Sequence, residues 1–121
     1  MRRKSLMMTA LVGAVLATAV PATAATAHTQ STKATTINVA MSEFKFKLSK
    51  ASAPKGTVNF KVTNKGQIPH DFKINGKKTK LLSAGKTATL TIKFQKTGKF
   101  SYLCTVPGHA ASGMKGTFTV K

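Results

Sequence analysis

The stretch TATLTIKF, residues 87–94, is the clearest strand signal in this chain. Its apolar residues, Ala88, Leu90, Ile92 and Phe94, occupy every second position and alternate with threonine or lysine. A period of two places the apolar side chains on one face of a strand and the polar side chains on the other. We therefore predict a strand here with one buried face and one solvent-exposed face.

The same alternation recurs on both sides of this stretch. Short segments rich in Gly, Pro and Asn separate the alternating runs and predict turns. No run of helical period interrupts them, so the pattern predicts an all-β domain, an antiparallel Greek-key β-sandwich of seven to eight strands. The further runs lie at residues 37–41, 44–48, 58–62, 72–74, 100–104 and 118–120.

The amino terminus has the outline of a secretory signal peptide. Basic residues at positions 2–4 precede an uncharged apolar stretch at 5–20, and small residues follow. The apolar run is shorter than the roughly 20 residues that span a bilayer. We expect cleavage after Ala24 or Ala27, which removes residues 1–27 and leaves no stable membrane insertion. An uncleaved anchor is the alternative.

The chain of 121 residues has room for one compact domain. Residues 28–36 are polar and aperiodic, so we expect a flexible lead-in followed by the folded domain at 37–121. A cleaved signal peptide implies export to the periplasm, the cell envelope or the exterior. We expect a monomer, because no sequence feature requires an oligomer.

The charge is strongly one-sided, with 20 Lys and Arg against two acids and a formal charge of +18. Loss of Arg2, Arg3 and Lys4 with the leader leaves 17 lysines and the two acids, a charge of +15. Nucleic-acid readers rely on arginine for bidentate contacts, so no nucleic-acid partner is expected. The lysines indicate either a well-solvated surface or attraction to an acidic partner or an anionic envelope polymer.

Few residues are available for chemistry. Glu43 and Asp71 are the only acids, which excludes most catalysis by paired carboxylates. Cys104, His109 and Met114 follow one another at intervals of five residues, after the end of a predicted strand. Each residue also has a plain structural interpretation, such as a buried cysteine or a core methionine.

A fourth candidate, His70, opens another predicted strand. Together with Cys104, His109 and Met114 it makes a set of two imidazoles, a thiolate and a thioether. Such soft ligands suit copper better than zinc, calcium or magnesium, and Cys with two His and a weak axial Met describes a blue-copper electron-transfer site. We therefore predict one mononuclear copper ion.

At these residues the chain resembles the cupredoxins, the small blue copper proteins. The resemblance rests on the Cys-x4-His-x4-Met run and on the upstream Asn-x-Gly-x-x-Pro-His that ends at His70, and it covers about residues 35–121. It implies that His70, Cys104, His109 and Met114 are the copper ligands. Many members carry Asn or Ser after the first histidine, whereas this chain has Asp71.

The resemblance also implies a function. We expect an electron carrier that exchanges single electrons with redox partner proteins, which the lysines suggest are acidic. Enzymatic activity is not expected, because a copper oxidase or nitrite reductase needs a second copper held by further histidines and only His28 is left over. Copper sequestration or delivery within the envelope is the alternative function.

Overall fold

The computed structural model describes residues 13, 14, 17, 19 and 33–121. The predicted signal peptide at 1–27, apart from those four isolated positions, lies outside the described residues, as do both cleavage sites and residues 28–32 of the lead-in. No helix in the described part of the chain is long and apolar enough to cross a bilayer.

The described chain is built from β-strands, turns and loops, as the alternating pattern predicts. Strands β1, β4 and β7 are the longest, and their burial alternates residue by residue. The nine strands are β1 Thr35–Ser42, β2 Lys45–Leu48, β3 Ser52–Ala53, β4 Gly56–Asn64, β5 Lys73–Ile74, β6 Lys77–Lys78, β7 Thr87–Phe94, β8 Gly98–Leu103 and β9 Lys115–Val120.

The strands form two sheets that share one core. The first sheet has the spatial order β2-β1-β4-β7, and the second has the order β3-β9-β8-β5-β6. Buried side chains come from both sheets, for example Phe60 and Val62 of β4 and Phe118 and Val120 of β9. The predicted β-sandwich is confirmed.

The expectation of a purely antiparallel sandwich is wrong. Strands β1 and β4 run parallel, with Thr35 opposite Val58 and Met41 opposite Asn64, and β3 runs parallel to β9. The chain leaves β1 through β2 and β3, and β3 pairs in the second sheet before β4 returns to the first. Alternation has the same period in parallel and antiparallel strands, so it carries no information on direction.

The strand count and the start of the first strand also differ from expectation. The described residues form nine strands instead of seven to eight, because β3 and β6 have two residues each and show no alternation. Strand β1 begins at Thr35, ahead of the predicted run at 37–41, and both Thr35 and Thr36 pair with β4. Phe44, expected to begin a strand, lies in the turn before β2.

Aromatic rings fill the centre of the core. Phe60 is fully buried, and its ring centroid lies 5.3 Å from those of Phe72 and Phe118 and 6.3 Å from that of Phe94. Burying one large apolar side chain contributes about 1.5–3 kcal/mol. This cluster ties both sheets together and gives the loops at the end of the sandwich a rigid base.

Three connections meet at one end of the sandwich. The turn Glu43–Phe44 joins β1 to β2, and Met41, just before it, accepts the backbone N–H of Lys65 at 2.7 Å. Residues 65–72, called the first loop, lead from β4 into β5, which pairs with the end of β8. Residues 104–114, called the second loop, follow β8. These connections surround the candidate site.

Candidate metal centre

Three potential metal ligands meet where the two loops lie together. His70 belongs to the first loop, Cys104 and His109 belong to the second, and all three are buried. The Nδ1 atoms of the two histidines are 3.1 Å apart, and Sγ of Cys104 is 3.6 Å from Nδ1 of His109. The three donor atoms lie within 4.8 Å of one another. Metal bonds of about 2.0–2.3 Å to nitrogen and sulfur allow one ion to bind all three.

The first loop is held in shape by Asn64, the last residue of β4. Its side-chain amide donates to the carbonyls of Ile68 and Leu82, both at 2.8 Å, and its Oδ1 accepts the N–H of Gly66 at 2.9 Å. His70 exchanges two backbone hydrogen bonds with Leu82, at 3.1 and 2.8 Å. These bonds fix the backbone from which the His70 ring projects.

The second loop folds back on itself through backbone hydrogen bonds. The N–H of Cys104 donates to the carbonyl of Met114, and the N–H of Met114 donates to the carbonyl of His109, both at 3.1 Å. Gly108 and Gly113 have φ values of +82° and +110°, which side-chain-bearing residues adopt only with strain. The two glycines therefore permit the turns that bring the three residues together.

Met114 is fully buried within this loop. Both of its backbone polar groups bond to the predicted ligands Cys104 and His109, so its backbone is anchored to the group of donors. That its thioether sulfur is the fourth ligand stays a prediction.

Glu43, in the β1–β2 turn, contacts the far side of the His70 ring. Its Oε1 lies 3.2 Å from Nε2 of His70 and accepts the backbone N–H groups of Ile68 at 3.1 Å and Gln67 at 2.8 Å. The hydrogen bonds from Ile68 and Gln67 lower the pKa of Glu43 to about 2, so the side chain is ionised at neutral pH. Sequence reasoning missed this contact, because a turn 27 residues from His70 gives no local signal.

The contact between the carboxylate and Nε2 bears on which nitrogen of His70 can bind a metal. An ionised carboxylate only accepts hydrogen bonds, so its contact with Nε2 selects the tautomer protonated at Nε2. In a neutral ring of this tautomer, Nδ1, which faces His109, carries the lone pair that can bind a metal.

Asp71 joins the two loops. Its Oδ1 accepts the backbone N–H of Thr105 at 2.6 Å, and its Oδ2 accepts the Thr105 hydroxyl. Asp71 stands where the resemblance predicts Asn or Ser. Its side chain links the loop that carries His70 to the loop that carries Cys104 and His109.

The Cys104 thiol is held in its neutral form. Burial raises the pKa of this thiol, and hydrogen bonds from the backbone N–H groups of Asp71 and Val106 oppose that shift. Metals bind the thiolate, so metal uptake must displace the proton. We expect proton release to accompany metal binding at Cys104.

His109 is the more exposed of the two candidate histidine ligands. It is 8% exposed, whereas His70 is 0% exposed. The ring of Phe44 packs edge-on against His109 with a centroid separation of 5.1 Å. Each of the three segments that meet at the site carries an exposed apolar residue, and we call these three residues, Phe44, Ile68 and Pro107, the apolar rim. A partner that touches Phe44 comes close to the His109 imidazole.

The donor set fits copper. Among the residues the structure describes, His70, Cys104 and His109 are the one group of three or more His, Cys, Asp or Glu side chains close enough to share an ion. Two imidazoles with one thiolate, and no carboxylate among the donors, is the ligand type of a trigonal copper site. The low exposure of all three side chains restricts access of water to such an ion.

Comparisons with known proteins agree with this geometry. The cupredoxin-like domain family matches residues 11–120. Auracyanin-B of Chloroflexus aurantiacus is 45% identical over 42 residues, which cover 35% of this chain and 18% of that protein. The dithionite-reduced auracyanin of Roseiflexus castenholzii has a TM-score of 0.63 at 24% identity, covering 72% of this chain and 97% of that one. A rusticyanin structure has a TM-score of 0.61 at 26% identity, covering 74% of this chain and 78% of that one.

Proposed function

Because this chain belongs to the cupredoxin-like domain family, we propose that it is a blue copper protein that carries single electrons between redox partners. The observation that carries the proposal is the convergence of Nδ1 of His70, Nδ1 of His109 and Sγ of Cys104 from two separate loops. Met114 is proposed as the weak axial ligand. When bound, copper supplies one-electron chemistry by cycling between Cu(I) and Cu(II).

The residues around the metal serve this function by holding their positions. A carrier transfers electrons quickly when its ligands move little as the ion changes charge. Asn64 and Leu82 hold the backbone of the first loop, and the bonds among Cys104, His109 and Met114 hold the second. Asp71 then ties the loops to each other through Thr105. This bonding supports a small reorganisation on electron transfer.

The proposed route for the electron leads through His109. His109 is 8% exposed whereas His70 is 0% exposed, and Phe44 of the apolar rim packs against the His109 ring. A partner seated on the rim would exclude water between its own redox centre and the imidazole. We propose acidic redox proteins as partners, since all 17 basic residues beyond position 27 are lysines.

Copper sequestration or delivery is the alternative function. A delivery protein would use similar soft ligands, but its site should be exposed so that the copper ion can exchange. Here Cys104 is 1% exposed and Met114 is 0% exposed. Burial therefore favours the carrier over the delivery function. We also propose that the chain is not an enzyme by itself, because His28 is the only histidine outside the site.

Purified protein loaded with a cupric salt distinguishes these functions. A carrier shows intense visible absorption from sulfur-to-copper charge transfer, is reduced and reoxidised reversibly, and keeps its copper against a modest chelator. The Cys104→Ser variant should bind copper without that colour. A colourless parent protein that releases copper readily would instead favour delivery, and a blue Cys104→Ser variant would reject the thiolate assignment.

The proposed location is outside the cytoplasm. The support is the sequence pattern of residues 1–27, and the measurement is the mass of the protein recovered from the medium or the envelope. Mass loss corresponding to cleavage after Ala24 or Ala27 is expected. Full-length protein that fractionates with membranes would instead indicate an uncleaved anchor.

A further inference from the structure

The β1–β2 turn is a third segment in contact with the metal centre, beside the two loops that carry the ligands. It consists of two residues, and each one touches a different histidine. Glu43 lies 3.2 Å from Nε2 of His70, and Phe44 packs edge-on against His109. The hairpin pairs Ser42 with Lys45, so the turn is fixed to the first sheet rather than to either loop.

The Glu43 carboxylate is anchored by groups other than the histidine. Two backbone N–H groups of the first loop, from Gln67 and Ile68, donate to the same oxygen that faces Nε2 of His70. These bonds hold the carboxylate in place whether or not the ring is present.

Gly66 makes room for this carboxylate. A Cβ atom on residue 66 would overlap Oε1 of Glu43 and would lie 2.8 Å from its Cδ. Real Cβ atoms do not come so close to other atoms, so any side chain at this position pushes the carboxylate away. The glycine and the acid therefore act together, although they come from different segments of the chain.

We propose that Glu43 is a positioning residue for His70: it holds the Nε2–H side of the imidazole and so presents Nδ1 to the copper ion. The proposal rests on the copper function proposed above. A carboxylate behind a ligating histidine makes the imidazole a stronger donor and stabilises the higher charge of the oxidised ion. Glu43 should therefore lower the reduction potential and tighten copper binding.

A purely structural role for Glu43 predicts a different result. If the side chain only joined the turn to the N–H groups of Gln67 and Ile68, the amide oxygen of glutamine would serve equally well. Glu43→Gln would then leave the copper centre unchanged. A positioning role requires the charge as well as the hydrogen bond.

The test uses the full mature protein and four variants. Glu43→Gln removes the charge, Glu43→Ala removes the hydrogen bonds, and Gly66→Ala displaces the carboxylate without removing it. The control Gln95→Lys changes the net charge by the same amount as Glu43→Gln. Gln95 is exposed and lies far from the site. It follows Phe94, which pairs with Gly56, the first residue of β4, whereas the site lies at the other end of that strand.

Reduction potential, copper affinity by chelator competition, and the tautomer of His70 by nitrogen-15 NMR are measured for each variant. We expect a higher potential in Glu43→Gln and a loss of affinity of about 10–100-fold in Glu43→Ala, the range for partners of metal ligands. Gly66→Ala should change the reduction potential and the copper affinity in the same direction as Glu43→Ala. Gln95→Lys should have the potential and the affinity of the parent protein.

The NMR measurement separates this inference from the copper proposal. Metal-free protein in mildly alkaline solution should carry its His70 proton on Nε2, and Glu43→Ala should populate both tautomers. A parent protein that stays colourless with copper would contradict the proposed function, and the tautomer measurement would still decide the role of Glu43. Parent-like potential, affinity and tautomer in Glu43→Gln and Gly66→Ala would overturn the inference, even if Glu43→Ala failed to fold.

Discussion

Met114 differs from the other predicted ligands because a thioether binds copper weakly and at long distance. Its side chain is fully buried, and its backbone bonds to both Cys104 and His109. An axial ligand of this kind affects the reduction potential of the copper ion more than its affinity for the protein. Changes at Met114 should therefore affect the reduction potential more than copper retention.

The Met114→Gln variant should keep its copper and have a lower reduction potential than the parent protein. The reason is that an amide oxygen is a harder ligand than a thioether and favours the oxidised ion. A spectroelectrochemical titration measures the shift. Met114→Leu is the matched control, because it keeps an apolar side chain without a donor and should not lower the potential. Equal potentials in all three proteins would show that Met114 is not a ligand.

Asp71 places a second carboxylate beside the site. The Asp71→Asn variant keeps an acceptor for the Thr105 N–H but loses the charge, so its reduction potential should rise. Asp71→Ala loses both bonds to Thr105 and should lower the free energy of unfolding by about 1.5–3 kcal/mol, the range for hydrogen bonds to charged groups. Potentiometry and urea unfolding of the metal-free protein measure the two effects. A potential that falls in Asp71→Asn would contradict this electrostatic role.

The candidate ligands are easier to predict from the sequence than the residues that contact them. Cys104 and His109 are identified by residue type and spacing within one loop, and His70 follows a recognisable turn. The supporting contacts are different. The bond between Asp71 and Thr105 and the contact between Glu43 and His70 each depend on how distant segments meet in space. No local pattern encodes such contacts, so they required the structure.

At the scale of elements, alternation predicts where the long strands are and which face is buried. It predicts β4 and β7 well, since Val58, Phe60, Val62, Ile92 and Phe94 are all buried. It does not predict strand direction, and it fails where pairing is brief, as in β3 and β6. Phe44 illustrates a further limit, because its apolar side chain continues the alternation but packs on His109.

The end of β4 determines the shape of the first loop through Asn64. The Asn64→Ala variant should lose about 1–3 kcal/mol of unfolding free energy, because the buried N–H of Gly66 and the carbonyl of Ile68 lose their partner. It should also retain copper less well. Urea unfolding and chelator competition measure these losses.

Asn59→Ala is the control for Asn64→Ala. Asn59 also lies on β4, but its hydrogen bond to Thr91 is exposed, so its loss should change the unfolding free energy by no more than about 0.5 kcal/mol. If the two variants were equally stable, Asn64 would not be the residue that holds the first loop.

At the scale of the whole molecule, both acids of the chain lie at the candidate metal centre, whereas the lysines are distributed along the described chain from Lys33 to Lys121. Glu43 contacts His70, and Asp71 contacts Thr105. In the described part of the chain, no lysine forms an ion pair with a carboxylate, since the one pair found joins Glu43 to His70. The surface charge is therefore uncompensated and attracts anions over a distance.

This charge should control the rate of electron exchange. Oxidation of the copper-loaded, reduced protein by an anionic iron complex should slow as salt is added, because charges more than about 8 Å apart are largely screened at physiological ionic strength. A cationic cobalt complex is the matched control, and its rate should rise with salt. Stopped-flow absorbance measures both rates. Rates that do not depend on salt would contradict electrostatic steering.

The central claim is that side chains from two separate loops bind one copper ion. X-ray absorption at the copper edge of the loaded protein tests it most directly, because it counts the ligand types and measures their distances. We predict one short copper–sulfur bond and two imidazole nitrogens, with the sulfur signal absent in Cys104→Ser. A spectrum that shows only nitrogen and oxygen ligands in the parent protein would contradict the claim.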